Sequence, residues 1–495
     1  MSTLAAAVLP VACGGALYAA VSTRRSLPSP WATGRGRGRG ARWATRRDLR
    51  SLLRDDRVPR RGRLVLGTTR GVTRPKVLRA EAAQSVVVVG PTQSGKTSSI
   101  AVPSILEWEG PVLAASVKSD LLRHTMTERG ERGRVWCIDP TRSTGMDPSE
   151  WSPLPACRDW AGARRMAAHL TESAKADGTT ADGEFWYATA AKLLAPLLFA
   201  ASRQGRTMAD VVHWVDTQEA GEVCGILEQV GHLEALDAAR ASWCRDERTR
   251  SSVYTTAETV LAPFGPSGSV APSTFEPAQL LGGRHTLYLC APAHDQRRLR
   301  GYFTALTQQL LSHAFTSATR TGRPLDPPLL IVLDETAHIA PLPELDGLAA
   351  TCASHGIQLV TVWQDLAQVR ARYGARAPTV LNNHRAKLFL PGIADPDTLE
   401  YASRLIGDEE ASVPSWTKDP RGGRSTTSTR GPRRLLPPED LRCLPRGDAV
   451  LVYGTLPPAR LRLRPWWTAS VRRIRPVSPA PSHSVGRMEV GVRPW

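Results

Sequence analysis

The stretch Ser85-Val-Val-Val-Val-Gly-Pro-Thr-Gln-Ser-Gly-Lys-Thr97 decides the fold of this chain. Four consecutive valines predict a buried strand, and the glycine-rich turn after them leads into the start of a helix. Such a turn wraps backbone N–H groups around a polyphosphate, with glycine where a side chain would obstruct it. We therefore interpret these residues as a phosphate-binding loop: Gly90, Pro91, Thr92, Gln93, Ser94, Gly95, Lys96 and Thr97.

Two side chains of this loop have predicted roles in binding ATP and Mg²⁺. Lys96 would reach the β- and γ-phosphates, and the Thr97 hydroxyl would ligate the metal. The alternative is a strand, turn and helix without any ligand. Chance matches to this pattern rarely follow four valines, so we favour the nucleotide site.

A second hydrophobic strand, residues 329–333, ends in two carboxylates, Asp334 and Glu335. Ligands of open parallel sheets bind at the carboxyl ends of the strands, so the pair should emerge beside the phosphates. Asp334 would hold the metal through water, and Glu335 would polarise the attacking water. This pattern favours ATP hydrolysis; the alternative is that the two acids only cap the next helix.

A third polar group follows strand 357–362, where Gln364 precedes Asp365. An amide at this place can contact the γ-phosphate or the attacking water and report hydrolysis. Asp365 can at the same time cap the following helix.

Strands and helices alternate over residues 81–155, which predicts the first part of an α/β domain with a doubly wound, mainly parallel sheet. Residues 156–262 are alanine-rich and show only helical periods, at 159–175, 184–203, 207–230 and 232–262. We expect an all-α domain inserted there.

The α/β pattern resumes over residues 263–470. Within that part, residues 411–436 are rich in Ser, Thr, Gly and Arg and predict a mobile loop. The strands 449–453 and 460–464 should close the sheet as an antiparallel edge, and residues 471–495 form a C-terminal tail.

Charge is distributed unevenly along this chain of 495 residues and net charge +18. Counted from the sequence, residues 1–80 carry about +15, residues 400–495 about +8 and the remainder about −5. Basic flanks suit either nucleic acid or anionic lipid, and sequence does not separate the two.

The N-terminus contains an uncharged, mostly apolar stretch, residues 4–21, followed by Arg24 and Arg25. We expect a weak membrane anchor within residues 1–24, an arginine-rich juxtamembrane segment at 25–80, and a motor domain in the cytoplasm. The alternatives are a re-entrant or interfacial segment, or a chain whose true start lies further upstream.

The eight cysteines are scattered, with no CxxC and no histidine at metal-ligand spacing. We expect reduced thiols and no metal other than the magnesium bound with nucleotide.

The chain resembles the TraG/TraD-like coupling proteins of type IV secretion and conjugation, in an actinobacterial-type version. Five stretches carry the resemblance: residues 86–97, WEGPVLAASVKSDL (108–121), LLIVLDETAHIAPLPEL (329–345), TVWQDLAQVRARYG (361–374) and NNHRAKLFLPGIADPDTLEYASRLIG (382–407). Members of that family often have two N-terminal membrane helices, whereas this sequence has one weak segment.

The resemblance implies a RecA-like P-loop ATPase of the inner membrane that acts as a homo-hexamer. It also implies coupling of relaxase-bound DNA, expected to be single-stranded and bound without sequence preference, to a secretion channel. A neighbouring subunit would supply an arginine to the site, with Arg385 as first candidate and Arg404 as second.

Three other functions stay open at this point. The chain could feed protein effectors to a secretion system, or pump chromosomal or plasmid DNA. A non-motor scaffold is disfavoured, because a scaffold has no need of Lys96, Thr97, Asp334, Glu335 and Gln364 together.

Overall fold

The computed structural model describes residues 40–53, 62–70, 75–175, 181–264, 274–418 and 424–468. The predicted membrane anchor and the C-terminal tail from residue 471 lie outside these residues. Contact density divides the chain into a large unit, 41–408 with 434–495, and a smaller one that contains residues 409–433.

Thirteen strands lie in the described residues, and their bounds in chain order are β1 Val65–Thr69, β2 Val77–Arg79, β3 Val86–Val89, β4 Val112–Ser116, β5 Val135–Ile138, β6 Thr286–Cys290, β7 Leu329–Leu333, β8 Ile357–Trp363, β9 Ala386–Phe389, β10 Asp408–Lys418, β11 Arg424–Arg434, β12 Asp448–Tyr453 and β13 Ala459–Arg462.

The helices of the described residues begin with a π-helical turn, Thr97–Ala101, and are then α1 Val102–Glu107, α2 Asp120–Gly130, α3 Trp160–Ala174, α4 Ala181–Arg203, α5 Met208–Asp216, α6 Gly221–Val230, α7 Leu233–Trp243, α8 Glu247–Leu261, α9 Pro277–Leu281, α10 Gln296–Thr321, α11 Thr336–Ile339, α12 Leu345–Thr351, α13 Leu366–Tyr373, α14 Ala377–Asn383, α15 Pro396–Ile406 and α16 Pro438–Arg442.

Eleven strands form one sheet in the order β2-β1-β13-β12-β9-β3-β8-β7-β4-β6-β5. The seven strands from β9 to β5 are parallel, and the four from β12 to β2 are antiparallel. This is the doubly wound, mainly parallel sheet that the sequence predicts. Strand β8 lies between β3 and β7, so the loop after β3 and the acidic pair after β7 are separated by one strand.

The parallel strands are buried on both faces because each face is covered by a different hydrophobic core. Successive residues of β3 alternate between these cores: Val87 and Val89 face one, while Val86 and Val88 face the other. The first core continues into the helical region 160–261, and the second packs against α1 and α2.

Helices α3 to α8 occupy the region for which the sequence predicts an all-α insertion. They belong to the same large unit as the sheet, and α3 and α4 share its hydrophobic core. The two longest helical patterns are each divided: a turn at residues 217–220 separates α5 from α6, and Asp246 caps α8 through a bond from Thr249 N. The insertion is therefore continuous with the sheet domain in its packing.

The arginine-rich segment before residue 81 differs from the expectation. In the described part of residues 41–80, leucines between the arginines are buried in the second core, among them Leu49, Leu52, Leu64, Leu66 and Leu78. Strands β1 and β2 extend the sheet beyond β13, so the pair β12–β13 is not its edge. Burial of these leucines makes the segment part of the fold rather than a juxtamembrane linker.

The prediction of a loop over residues 411–436 is wrong, because β10 and β11 pair as a two-stranded sheet there. The Ser/Thr composition that suggested a loop also suits strands, since threonine is β-branched and backbone pairing needs no apolar side chain. This hairpin lies in the smaller unit.

Within the described residues, one helix is long and apolar enough to cross a membrane by length and composition, Asp182–Arg203. Most of that window, 61%, is buried inside the protein. It is the central helix of the insertion, and its apolar side chains pack in the first core.

Candidate nucleotide-binding site

The loop after β3 is held close to its neighbouring strands. Gly90 N donates to Trp363 O at 3.1 Å, at the carboxyl end of β8. A Cβ on Gly90 would lie 2.8 Å from both Leu390 Cβ and Ser94 Oγ, so only glycine fits there. Gly95 has φ +95°, a conformation that favours glycine. The two glycines thus give the loop its shape.

Lys96 places its ammonium group inside the loop. Its Nζ donates to Gly90 O at 2.6 Å and to Pro91 O at 2.7 Å, and the residue is only 8% exposed. Burial lowers the pKa of Lys96, while the carboxylates of Asp334 and Glu335 act in the opposite direction. The loop therefore contains a positive charge at the place where a polyphosphate would carry its negative charge.

Thr97 and Asp334 join the loop to the acidic strand. Thr97 Oγ1 donates to Asp334 Oδ2 at 2.8 Å, and Asp334 N donates to Ala115 O at 2.9 Å. The other carboxylate oxygen, Asp334 Oδ1, is buried and has no hydrogen-bond partner among the residues that the structure describes. Burial raises the pKa of Asp334 to about 6, with the charge of Glu335 adding to the effect. A hydroxyl beside a partnerless carboxylate oxygen fits Mg²⁺, which prefers such oxygen ligands.

Glu335 has an unusual backbone conformation for a side chain of its size. Its φ of 61° and ψ of 55° lie in the left-handed region, which costs a residue with a Cβ about 1 kcal/mol. This conformation ends β7 sharply and begins α11, while the side chain lines the same cavity as Lys96 and Thr97. Strained residues of this kind concentrate at functional sites.

A cavity of about 380 Å³ lies over the loop, a volume within the usual range of small-molecule sites. The structure brings together in its lining most of the predicted residues: Thr92, Gln93, Gly95, Lys96, Thr97, Asp334 and Glu335. It adds residues that sequence reasoning did not assign to the site, namely Ser98, Val102, Lys118, Asp120, His124, Trp466 and Trp467.

Two of the missed groups carried a signal in the sequence. Lys118 and Asp120 lie between the carboxyl end of β4 and the start of α2, and β4 neighbours β7 in the sheet, so the rule on strand ends applies to them too. Trp466 and Trp467 follow the last strand and belong to no periodic pattern of apolar residues. Their position depends on contacts with Ser98 and His124, which are distant in the sequence, and no local pattern reveals such contacts.

Gln364 lies at the carboxyl end of β8, between the loop strand and the acidic strand. Its backbone N donates to Gln368 Oε1 at 3.0 Å, and its side chain is not among those that line the cavity. Asp365 caps α13 by accepting from Gln368 N at 2.9 Å. The capping role is therefore present, while contact of Gln364 with a γ-phosphate stays a prediction.

The two candidate arginines lie away from this cavity. Arg385 precedes β9 at its amino end, pairs with Glu81 at 3.2 Å and lies over the ring of Tyr453. Arg404 pairs with Glu400 in the last turns of α15 and is largely exposed. Since the loop is at the carboxyl ends of the strands, Arg385 cannot complete the site of its own subunit.

These features define a P-loop protein with a doubly wound, mainly parallel sheet. The chain belongs to the family described as type IV secretory system conjugative DNA transfer, whose model matches residues 42–483. The resemblance seen in the sequence is thereby confirmed.

The curated relatives include Protein VirD4 of Agrobacterium fabrum (strain C58 / ATCC 33970), 25% identical over 405 residues, 76% of this chain and 58% of the relative. Another is Conjugal transfer protein TraG of Escherichia coli, 25% identical over 407 residues, 74% of this chain and 63% of the relative. The chain thus spans less than two thirds of the length of these proteins.

Solved structures share the fold. The bacterial conjugative coupling protein TrwBdeltaN70, in an unbound form, has a TM-score of 0.66 and 19% identity, covering 87% of this chain and 94% of its own. TrwB in complex with ADP and Mg²⁺ has a TM-score of 0.64 and 19% identity, covering 87% and 96%. This likeness confirms the predicted fold class.

We predict that the left-handed backbone conformation of Glu335 lowers the free energy of unfolding. The variant Glu335→Gly should unfold with a free energy equal to that of Glu335→Ala or up to about 1 kcal/mol higher, because glycine adopts this conformation without strain. Urea denaturation of the full chain measures the difference. The matched pair is Glu258→Gly and Glu258→Ala on the exposed face of α8, where glycine should be about 1 kcal/mol worse than alanine. The same sign at both positions would contradict the prediction.

Proposed function

We propose that this protein is an ATP-hydrolysing coupling protein that delivers DNA to a type IV secretion or conjugation apparatus. The observation that carries the proposal is the half-buried hydrogen bond between Thr97 and Asp334. It joins the P-loop to the acidic strand inside a chain of the conjugative DNA transfer family. Crystal structures of TrwB with ADP and Mg²⁺ and with an ATP analogue support the choice of ligand.

Four side chains would do the chemistry of hydrolysis. Lys96 offers its ammonium to the β- and γ-phosphates, and Thr97 with Asp334 would hold Mg²⁺, which neutralises phosphate charge when bound. Glu335 lies in the same cavity and would orient the attacking water and accept its proton. We also propose that Gln364, which follows β8 between β3 and β7, responds to the γ-phosphate.

A complete site would need a second subunit. Arg385 lies at the opposite end of its strand from the P-loop, so it would act on a neighbour's nucleotide, in a ring that we propose to be a homo-hexamer. The side chain of Arg385 is 46% exposed, so it is accessible at the surface even though it pairs with Glu81. Arg404 is the second candidate.

DNA is the proposed cargo, held without sequence preference through its phosphates. The positive net charge of the chain supports this choice, and so does the family. The remaining partners that we propose are a relaxase, the channel components and the cytoplasmic membrane, with the motor domain in the cytoplasm.

We predict that two substitutions separate binding from hydrolysis. Glu335→Gln should bind Mg-ATP within about threefold of the parent and lose at least about 100-fold in turnover, since binding depends on other groups. Lys96→Ala should lose turnover and weaken binding as well, because the phosphates lose their cation. Equilibrium binding and steady-state ATPase assays measure both. A Glu335→Gln variant that cannot bind nucleotide would show that Glu335 is structural.

We predict that DNA of unrelated sequences stimulates ATP turnover of the intact, oligomeric protein. Because the contacts are to phosphates, the stimulation should weaken between about 50 and 200 mM salt. Single- and double-stranded oligonucleotides are compared in the same assay, with Glu335→Gln as the control that has no turnover to stimulate. If no DNA stimulates the parent while basal turnover persists, protein cargo replaces DNA in the proposal.

We predict that the arginine acts between subunits. Arg385→Ala and Lys96→Ala should each be inactive alone, but mixed oligomers should regain part of the turnover. In the mixture, some sites combine an intact Lys96 with an intact Arg385 from the neighbour. Arg404→Ala mixed with Lys96→Ala tests the second candidate in the same way. Absence of rescue at every ratio would contradict a role for Arg385 in trans.

A further inference from the structure

The segment after β13 packs against α1, the helix that follows the P-loop. Arg464 forms an ion pair with Glu107 of α1 at 2.9 Å, and the two side chains are only 5% and 10% exposed. Two residues later, Trp466 N donates to Ser98 O at 3.0 Å. Ser98 directly follows Thr97, so this part of the chain lies beside the start of the nucleotide helix.

Two aromatic rings are placed at the mouth of the cavity by this segment. The ring of Trp466 packs on His124 of α2, with centroids 4.5 Å apart and planes 33° apart. Trp467 stands edge-on to Trp466 at 6.0 Å and lines the cavity, yet it is 53% exposed. Trp466 is therefore fixed on one side by His124, while its neighbour offers a large apolar surface to solvent.

The lining of the cavity combines charged or polar groups with a small apolar part. Charged and polar groups come from the P-loop, from the acidic pair after β7, and from Lys118, Asp120 and His124. The large apolar side chains of the lining are Val102 and the two tryptophans. A nucleoside triphosphate likewise combines a charged polyphosphate with a flat, stackable base.

We propose that Trp467 is the platform on which the purine base of ATP stacks, and that Trp466 is the residue that positions it. This inference rests on the proposed nucleotide binding by the P-loop. An exposed indole beside a polyphosphate site loses its contact with water when a base covers it, and stacking of a base on an aromatic ring adds to affinity. The C-terminal end of the sheet domain thereby contributes to the site formed by β3 and β7.

The test compares two ligands that share the polyphosphate and differ in the base. Binding of Mg-ATP and of inorganic tripolyphosphate with Mg²⁺ is measured for the full-length parent, Trp467→Ala and Trp467→Phe. Trp467→Ala should bind Mg-ATP about tenfold more weakly, whereas Trp467→Phe keeps a ring and should stay within about threefold. Tripolyphosphate affinity should be the same in all three proteins.

Other outcomes overturn the inference. If Trp467→Ala binds Mg-ATP as tightly as the parent, no base stacks there. If it loses tripolyphosphate affinity equally, Trp467 only maintains the loop. A parent that binds neither ligand would instead refute the P-loop assignment, so the two failures are distinguishable, and Lys96→Ala gives the reference for loss of both.

Fluorescence gives a second readout that a structural role would not change. Stacking of a base on Trp467 should quench part of the tryptophan emission when Mg-ATP is added to the parent. The quenching should vanish in Trp467→Phe and persist in the matched control Trp186→Phe, which alters a tryptophan that packs against Phe185 in the helical insertion. Quenching that survives in Trp467→Phe would overturn the proposal.

Discussion

The half-buried hydrogen bond between Thr97 and Asp334 is the interaction on which the rest of the site depends. It links the carboxyl ends of two strands that are separated by β8, so it requires the parallel order β3-β8-β7. A pKa of Asp334 raised to about 6 implies that its ionised form costs the folded protein on the order of 3 kcal/mol at neutral pH. That cost is offset by the surrounding sheet, whose strands are buried on both faces.

The sheet can offset this free energy of ionisation because its two hydrophobic cores are large. Both cores are formed by residues from distant parts of the chain. One core includes the helical insertion, and the other includes leucines of the arginine-rich segment before residue 81. The guanidinium of Arg129 is fully buried on the second face of the sheet. It donates hydrogen bonds to Thr286 Oγ1, Trp108 O and Gly110 O and so connects these segments. Burial lowers the pKa of Arg129 to about 9, and the carbonyl oxygens around it replace the lost water.

The candidate site is assembled from four separate stretches of sequence. The P-loop contributes an ammonium group and a hydroxyl, the end of β7 contributes two carboxylates, residues 118–124 contribute further charged and polar side chains, and the segment after β13 contributes two tryptophan rings. The last of these is held to the first by the pair Arg464–Glu107.

The sequence by itself determined the parallel strands, the P-loop and the acidic pair, because apolar runs and glycine-rich turns act locally and the carboxyl ends of parallel strands share one edge. It also indicated the family. The tertiary structure alone decided that leucines among arginines enter the core, that a Ser/Thr-rich stretch pairs as β10 and β11, and that Trp466 lies beside Ser98. Each of these depends on partners hundreds of residues away or on backbone pairing, and neither leaves a periodic signal in the residues concerned.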